Sequence, residues 1–143
     1  VPASVTVAAG ATTGTFTITT RTVTAATTLT VTGTYLGVAK AASITVNPVR
    51  VVSTLTLNPT SVRGGTNSTG TVTLTGIATE AVVVTLTSGT TAVARVPASV
   101  TVPAGSTTAT FTITTLTQTA TRTSIITART GTTSRTATLS VTR

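Results

Sequence analysis

The sequence contains no Cys, His, Met or Trp, and Glu80 is its single acidic residue. Each absence closes a class of chemistry. General acid–base catalysis uses a group that titrates near working pH, commonly His or a pair of carboxylates, and the chain has neither. A Ser or Thr nucleophile needs an activating base, for which Lys40 is the sole amine side chain. Zinc takes Cys or His, and calcium takes several oxygen ligands; one Glu makes neither site. Missing cysteines exclude the disulfide staple of many small secreted domains. No apolar run approaches the roughly 18 residues of a membrane helix, and Val1 opens no charged segment followed by an apolar core. The expectation is a chain that is no enzyme, uses no cofactor or metal, and has no membrane span in this segment. Any signal or anchor is expected to lie outside it or to have been removed.

About a third of the residues are Thr, with Val and Ala next. β-branched side chains lose freedom in a helix and suit a pleated surface, which favours an all-β chain. In the second part of the sequence apolar residues recur at alternate positions: Leu55 and Leu57, Val72 and Leu74, Val82, Val84 and Leu86, Val100 and Val102, Phe111 and Ile113, Leu139 and Val141. Period two marks half-buried strands. Turn-forming clusters at Asn58–Pro59, Arg63–Gly70, Ser88–Thr91, Pro103–Ser106 and Thr130–Ser134 separate them, at about the 8 to 12 residue spacing of sandwich strands. The pattern predicts about seven strands, with a short further one around Ala92–Arg95. Thr often fills the alternate positions, so one face of each sheet is a core and the other a surface of hydroxyls and methyls.

The passage Val1–Thr20 returns as Val96–Thr115, ninety-five positions later, changed only at Ala8/Pro103, Ala11/Ser106 and Gly14/Ala109. A period of that size matches one immunoglobulin-type unit of roughly 100 residues. The expected architecture is a tandem immunoglobulin-like antiparallel β-sandwich: residues 49–143 form a complete repeat, and residues 1–48 form the C-terminal half of another. The half-repeat has strand candidates at Ser4–Val7, Thr12–Thr20, Thr27–Tyr35 and Val38–Val46. It lacks counterparts of Ser53–Leu57, Gly70–Thr75 and Val82–Thr87, so strands from a preceding repeat or a neighbouring subunit are expected to complete it. Phe16, Ile18, Phe111 and Ile113 fall at equivalent places on apolar faces and are the expected core. Asn47 and Pro48 are the expected repeat junction, where the Pro and the short connection predict a stiff, extended array.

The phrase VPASVTVPAGSTTATFTITT, entered through LTLNPTSVRGGTNSTGTVTLTG and left through a strand of the ATLSV type, resembles the tandem immunoglobulin-like repeats of large bacterial surface and secreted proteins. The resemblance implies stalks, adhesin shafts or fibre subunits, and it names no ligand. Calcium-bound relatives carry acidic loops that this sequence lacks. The implied role is structural, in an extracellular filament, sheath or cell-surface stalk whose partners are copies of itself or adjacent repeats. The alternative is an adhesin or binding module in which loops and Arg side chains recognise glycans or an acidic surface.

The net charge of +8 comes from eight dispersed Arg and Lys40 against Glu80. Such an excess suits acidic polysaccharide or an anionic cell surface. Nucleic-acid binding is not expected, because both Phe residues belong to the predicted core and leave no stacking platform. Asn67-Ser68-Thr69 fits the acceptor pattern for N-linked sugar in a predicted loop, which makes Asn67 a candidate glycosylation site. An intramolecular isopeptide link at Lys40 lacks its acid. Thr-x-Thr ladders also line ice-binding solenoids, but those repeat every coil, and a twisted sandwich face is a poor plane.

Overall fold

The computed structural model describes residues Val1 to Arg143 and contains strands and turns but no helix. It divides into two compact units, Val1–Val49 and Arg50–Arg143.

In the first unit the regular elements are β1 (Thr27–Tyr35) and β2 (Val38–Val46), an antiparallel hairpin in unbroken register from Thr27–Val46 to Tyr35–Val38. Leu36 and Gly37 close it with φ of 48° and 80°, the two positive angles of a tight hairpin turn. Residues 1–26 form no strand. The expected strands at Ser4–Val7 and Thr12–Thr20 are therefore absent, although the turn between them is made: the Ala11 N–H donates to the Ala8 carbonyl at 3.0 Å, with Gly10 at φ 82°.

The second unit holds nine strands. These are β3 (Val52–Asn58), β4 (Ser61–Arg63), β5 (Ser68–Leu74), β6 (Val82–Ser88), β7 (Ala94–Arg95), β8 (Ser99–Val102), β9 (Thr108–Thr115), β10 (Arg122–Thr130) and β11 (Thr133–Thr142). One sheet runs β4-β11-β10-β6-β8, the other β3-β5-β9-β7. Every pairing is antiparallel except β11 with β4, which is parallel. The short strand expected around Ala92–Arg95 forms as β7, and one short strand beyond those expected, β4, forms as well. β4 lies where Pro59 and Thr60 carry the chain from one sheet to the other, and β7 caps the end of β9. Part of the expected Arg63–Gly70 turn is strand as well, since β5 begins at Ser68.

The two sheets pack face to face around a single aliphatic core. Val84, Leu86, Val102, Ile126, Ala128, Leu139 and Val141 come from one sheet; Val52, Leu55, Leu57, Val72, Leu74, Phe111 and Ile113 come from the other. Ile125 and Ile126 are adjacent, but only Ile126 turns inward, in register with Ala137, while Ile125 is exposed. Phe111 owes its place to Gly70, its cross-strand neighbour on β5. A Cβ built on Gly70 would lie 2.6 Å from the ring's Cε1 and Cε2 atoms, so the ring rests on the bare glycine backbone.

Buried hydroxyls tie the ends of the sandwich together. The Val52 N–H donates to Thr130 Oγ1 at 2.8 Å. Thr115 Oγ1 accepts from the Gly65 N–H at 3.1 Å and donates to the Thr66 carbonyl at 2.7 Å. Ser88 Oγ donates to the Ala94 carbonyl at 2.7 Å, which leaves Ser124 to donate to Ser88 at 2.9 Å while accepting from the Thr90 N–H at 3.2 Å. No buried side-chain polar atom lacks a partner, as a well-made interior requires.

Candidate interaction surface

β1 and β2 form a two-stranded sheet of their own, so both are edge strands. Their outward backbone N–H and C=O groups face no neighbouring strand, the arrangement that accepts an added strand. The hairpin is equivalent, residue for residue, to β10–β11: Thr27 pairs with Val46 as Arg122 pairs with Val141, and Tyr35 with Val38 as Thr130 with Thr133. In the second unit this hairpin's inner face is closed, and Ile126, Ala128, Leu139 and Val141 are fully buried. Their counterparts Val31, Gly33, Ile44 and Val46 are half-buried or exposed, and Leu29 is 44% exposed.

Phe16 stands in the same uncovered region at 43% exposure, and Ile18 is half-buried. The expected core role of Phe16 is therefore not what the structure shows. Residues 1–49 contain no counterpart of β5 and so no glycine backbone for the ring to lie on. Phe111 is 6% exposed and Ile113 fully buried. Val5, Phe16, Val31, Gly33, Lys40 and Ala41 line a cleft of about 440 Å³ within this first unit. Gly14 belongs to the same fold-back: a Cβ there would come within 3.1 Å of the Thr6 carbonyl oxygen and 3.2 Å of Val5 Cγ2.

The other singled-out residues are scattered. Asn47 is exposed and Pro48 buried, directly after β2. Asn67 is exposed in the loop before β5; its neighbour Ser68 is buried and donates to the Pro59 carbonyl at 2.7 Å. Glu80 is exposed in the β5–β6 loop, and no group of three or more His, Cys, Asp or Glu comes together. Seven of the eight Arg residues are exposed, and Arg50 is half-buried. Several are held by their own unit: Nε donates from Arg50 to the Ile77 carbonyl at 3.0 Å, from Arg129 to Gly131 at 2.8 Å and from Arg135 to Ser53 at 2.7 Å. The last of these bridges the two sheets at the irregularity in β3 between Val52 and Thr54.

Three features here carry weight that the sequence pattern does not mark. Gly70 reads as the end of a turn, although a glycine within a strand pattern is itself a signal of close approach. Ser124 and Thr130 look like the many surface hydroxyls of the chain and turn inward only through pairing.

No protein-family model matches the sequence, and no curated protein matches it. Among solved structures the chain is similar to domains 4 and 5 of the S-layer protein SbsC, with 25% identity and a TM-score of 0.50 over 82% of this chain and 59% of that one. It is also similar to SbsC domains 1–6, with 26% identity and a TM-score of 0.49 over 82% of this chain and 16% of that one. The D0–D1 domain of intimin aligns at 14% identity and a TM-score of 0.49, over 82% of this chain and 64% of that one. The chain thus spans about three-fifths of the first of these structures. Its fold is an all-β, immunoglobulin-like sandwich of the kind found in bacterial surface-layer domains, which agrees with the resemblance carried by its repeated passage.

Proposed function

We propose that this chain is a structural segment of an extracellular surface layer, sheath, filament or stalk built from tandem immunoglobulin-like repeats, with no catalytic role. The observation that carries the reading is the double occurrence, ninety-five residues apart, of one hairpin in one register, in a chain similar to S-layer domains. Repetition supplies length without new chemistry, and the side chains on offer are hydroxyls, methyls and dispersed guanidinium groups. The cell-surface location comes from the same similarity, and the partners would be adjacent repeats or further copies.

The parallel β4–β11 ladder suits a load-bearing unit. It is extended at its ends by the Ser140 N–H donating to the Thr60 carbonyl and the Gly64 N–H to the Thr142 carbonyl, both at 2.9 Å. Tension that pulls β4 toward the start of the unit and β11 toward its end shears these bonds together instead of opening them in turn. A binding module for acidic glycans, the rival reading, draws on the charge of +8. The guanidinium groups already tied to backbone carbonyls of their own unit weigh against a convergent site.

The test is electron microscopy of purified polypeptides carrying increasing numbers of the 95-residue repeat. Rods whose contour grows in equal steps support the reading; compact particles with no growth in length reject it.

A further inference from the structure

A closed sandwich still has the outermost strands of its sheets to protect, and the second unit protects them unequally. β4 has three residues and ends on Arg63, β7 has two and ends on Arg95, and β8 has four, set between Pro97 and Pro103. Short length, charge and proline are the usual guards of an edge. β3, an outer strand of the four-stranded sheet, runs for seven residues without a charged side chain or a proline. Its guards stand only at its ends. At one end is the irregularity between Val52 and Thr54, where Thr130 and Arg135 take up the Val52 N–H and the Ser53 carbonyl; at the other is Pro59, just beyond Asn58. We propose that the open stretch between them is a self-docking edge, which pairs antiparallel with β3 of a second copy of this chain about a two-fold axis at Thr56. The proposal rests on the structural reading above, in which further copies are partners, and names the edge through which two of them meet.

The register follows from the ladder that β3 already makes with β5. The Leu74 N–H donates to the Thr107 carbonyl on the β9 side, and the Thr75 N–H donates to the Val51 carbonyl on the β3 side. Odd-numbered residues of β5 therefore turn their backbone groups toward β3, and Thr54, Thr56 and Asn58, opposite Thr73, Thr71 and Thr69, turn theirs toward β5. The N–H and C=O groups of Leu55 and Leu57 are left on the open side. Setting Leu55 opposite Leu57 of the second copy, and Leu57 opposite its Leu55, lets each pair exchange both of its backbone bonds, while the leucine side chains stay in their own core. On the outer face Thr56 meets Thr56, and the row Thr56–Thr71–Thr110 runs on into the same row of the copy; cross-strand threonine pairs are favourable. Charge favours this edge for a second copy. Copies with a net charge of +8 repel one another, and β3, β5 and β9 bring no charged side chain to the contact. A two-fold pairing sets a strand against itself, so at β4 or β7 it would bring Arg63 or Arg95 near its like. The contact is small beside the roughly 800 Å² per partner of a stable complex. It is therefore reversible for single chains, and several such contacts between two arrays reinforce one another.

The test is disulfide trapping on the full 143-residue chain, which has no cysteine of its own. Thr56 and its copy would form a non-hydrogen-bonded antiparallel pair, with Cα atoms about 4.5 Å apart, within the roughly 4.4–6.8 Å that a disulfide spans. Under mild oxidation at high protein concentration, Thr56→Cys should link to itself about tenfold or more faster than Thr138→Cys, also exposed but on β11 inside its sheet. Thr54→Cys and Asn58→Cys lie opposite each other in this register, so each alone should link slowly and a mixture of the two should link fast. Thr56→Lys, which sets two ammonium groups against each other at the axis, should abolish the concentration-dependent rise in sedimentation of the parent chain. Trapping of Thr56→Cys no faster than that of Thr138→Cys would overturn the proposal. Fast self-linking of Thr54→Cys and of Asn58→Cys, each alone, would overturn the antiparallel register. Association that survives Thr56→Lys would assign the contact to another edge, β1–β2 included, and overturn it as well. None of these readouts depends on whether longer arrays grow in equal steps, so failure here is distinct from failure of the structural reading.

Discussion

Replacing Gly70 with Ala should unfold the second unit more easily, against the usual effect of removing a glycine. In a strand interior Ala is ordinarily favoured by about 0.5–1 kcal/mol, because glycine loses more backbone freedom on folding. Here the new Cβ would sit 2.6 Å from two ring carbons of Phe111, about 1 Å inside the separation at which carbon atoms attract. The ring must tilt away, yet it is 6% exposed and packed within the same core as Val72, Leu74 and Ile113. Forced repacking of that kind costs about 1–3 kcal/mol, enough to exceed the entropic gain. With a urea slope of about 1–3 kcal/mol per molar, the midpoint followed by circular dichroism should fall by about 1 M. Phe111→Leu should lose part of the core itself, but Gly70→Ala added to it should cost little more, since the clash is gone; the two costs should fall well short of adding. A Gly70→Ala chain as stable as the parent, or additive costs in the double variant, would refute the account of a ring seated on glycine.

Other outcomes follow from single contacts. Thr130→Val removes the acceptor of the Val52 N–H at nearly constant volume and should lower the stability of the second unit by about 1–3 kcal/mol in urea melts; an unchanged midpoint would show that bond to be dispensable. Leu36→Gly relieves a non-glycine residue at φ 48° that is 84% exposed, and it should gain about 1 kcal/mol or less for the β1–β2 hairpin. The reading is slower amide exchange at Thr34 and Val38; faster exchange would contradict it. If the dispersed Arg residues bind acidic polysaccharide, retention on such a matrix should fall steeply with salt. Elution at low salt, before any gradient, would leave the structural role without that competitor.

Much of the sandwich is legible in the sequence because its strands are half-buried and long enough to show period two. Leu55 and Leu57, Val84 and Leu86, and Leu139 and Val141 all face the core as their alternation implies. β4 spans three residues and pairs through a neighbour almost eighty positions away, so no local pattern announces it. The choice between Ile125 and Ile126 is likewise a matter of register with β11. Among the candidate residues, Phe16 departs from its expected core role for a similar reason. Its local sequence is that of Phe111, and what differs is the strand on which the ring would lie.

The repeated passage makes that dependence explicit. Val1–Thr20 and Val96–Thr115 differ at three positions, yet the second contains β8 and β9 while the first contains no strand. The elements common to both copies are the local ones. The Ser106 N–H donates to the Pro103 carbonyl at 3.1 Å with Gly105 at φ 83°, as Ala11 does to Ala8 with Gly10 at φ 82°, and β1–β2 repeats the register of β10–β11. What the first copy lacks are the pairings of β8 with β6 and β9 with β5, which draw on residues 68–88. A turn needs only its own residues, and a hairpin needs only its two strands. A strand such as Thr108–Thr115 persists through ladder bonds and side-chain burial supplied from elsewhere in the chain, so its propensity is largely a property of its neighbours. Thr-rich segments accentuate this, because their alternating methyls and hydroxyls bury too little on their own to offset the ordering of the backbone. In such a protein the boundary of a repeat is set less by where its sequence recurs than by where its last covering strand is supplied.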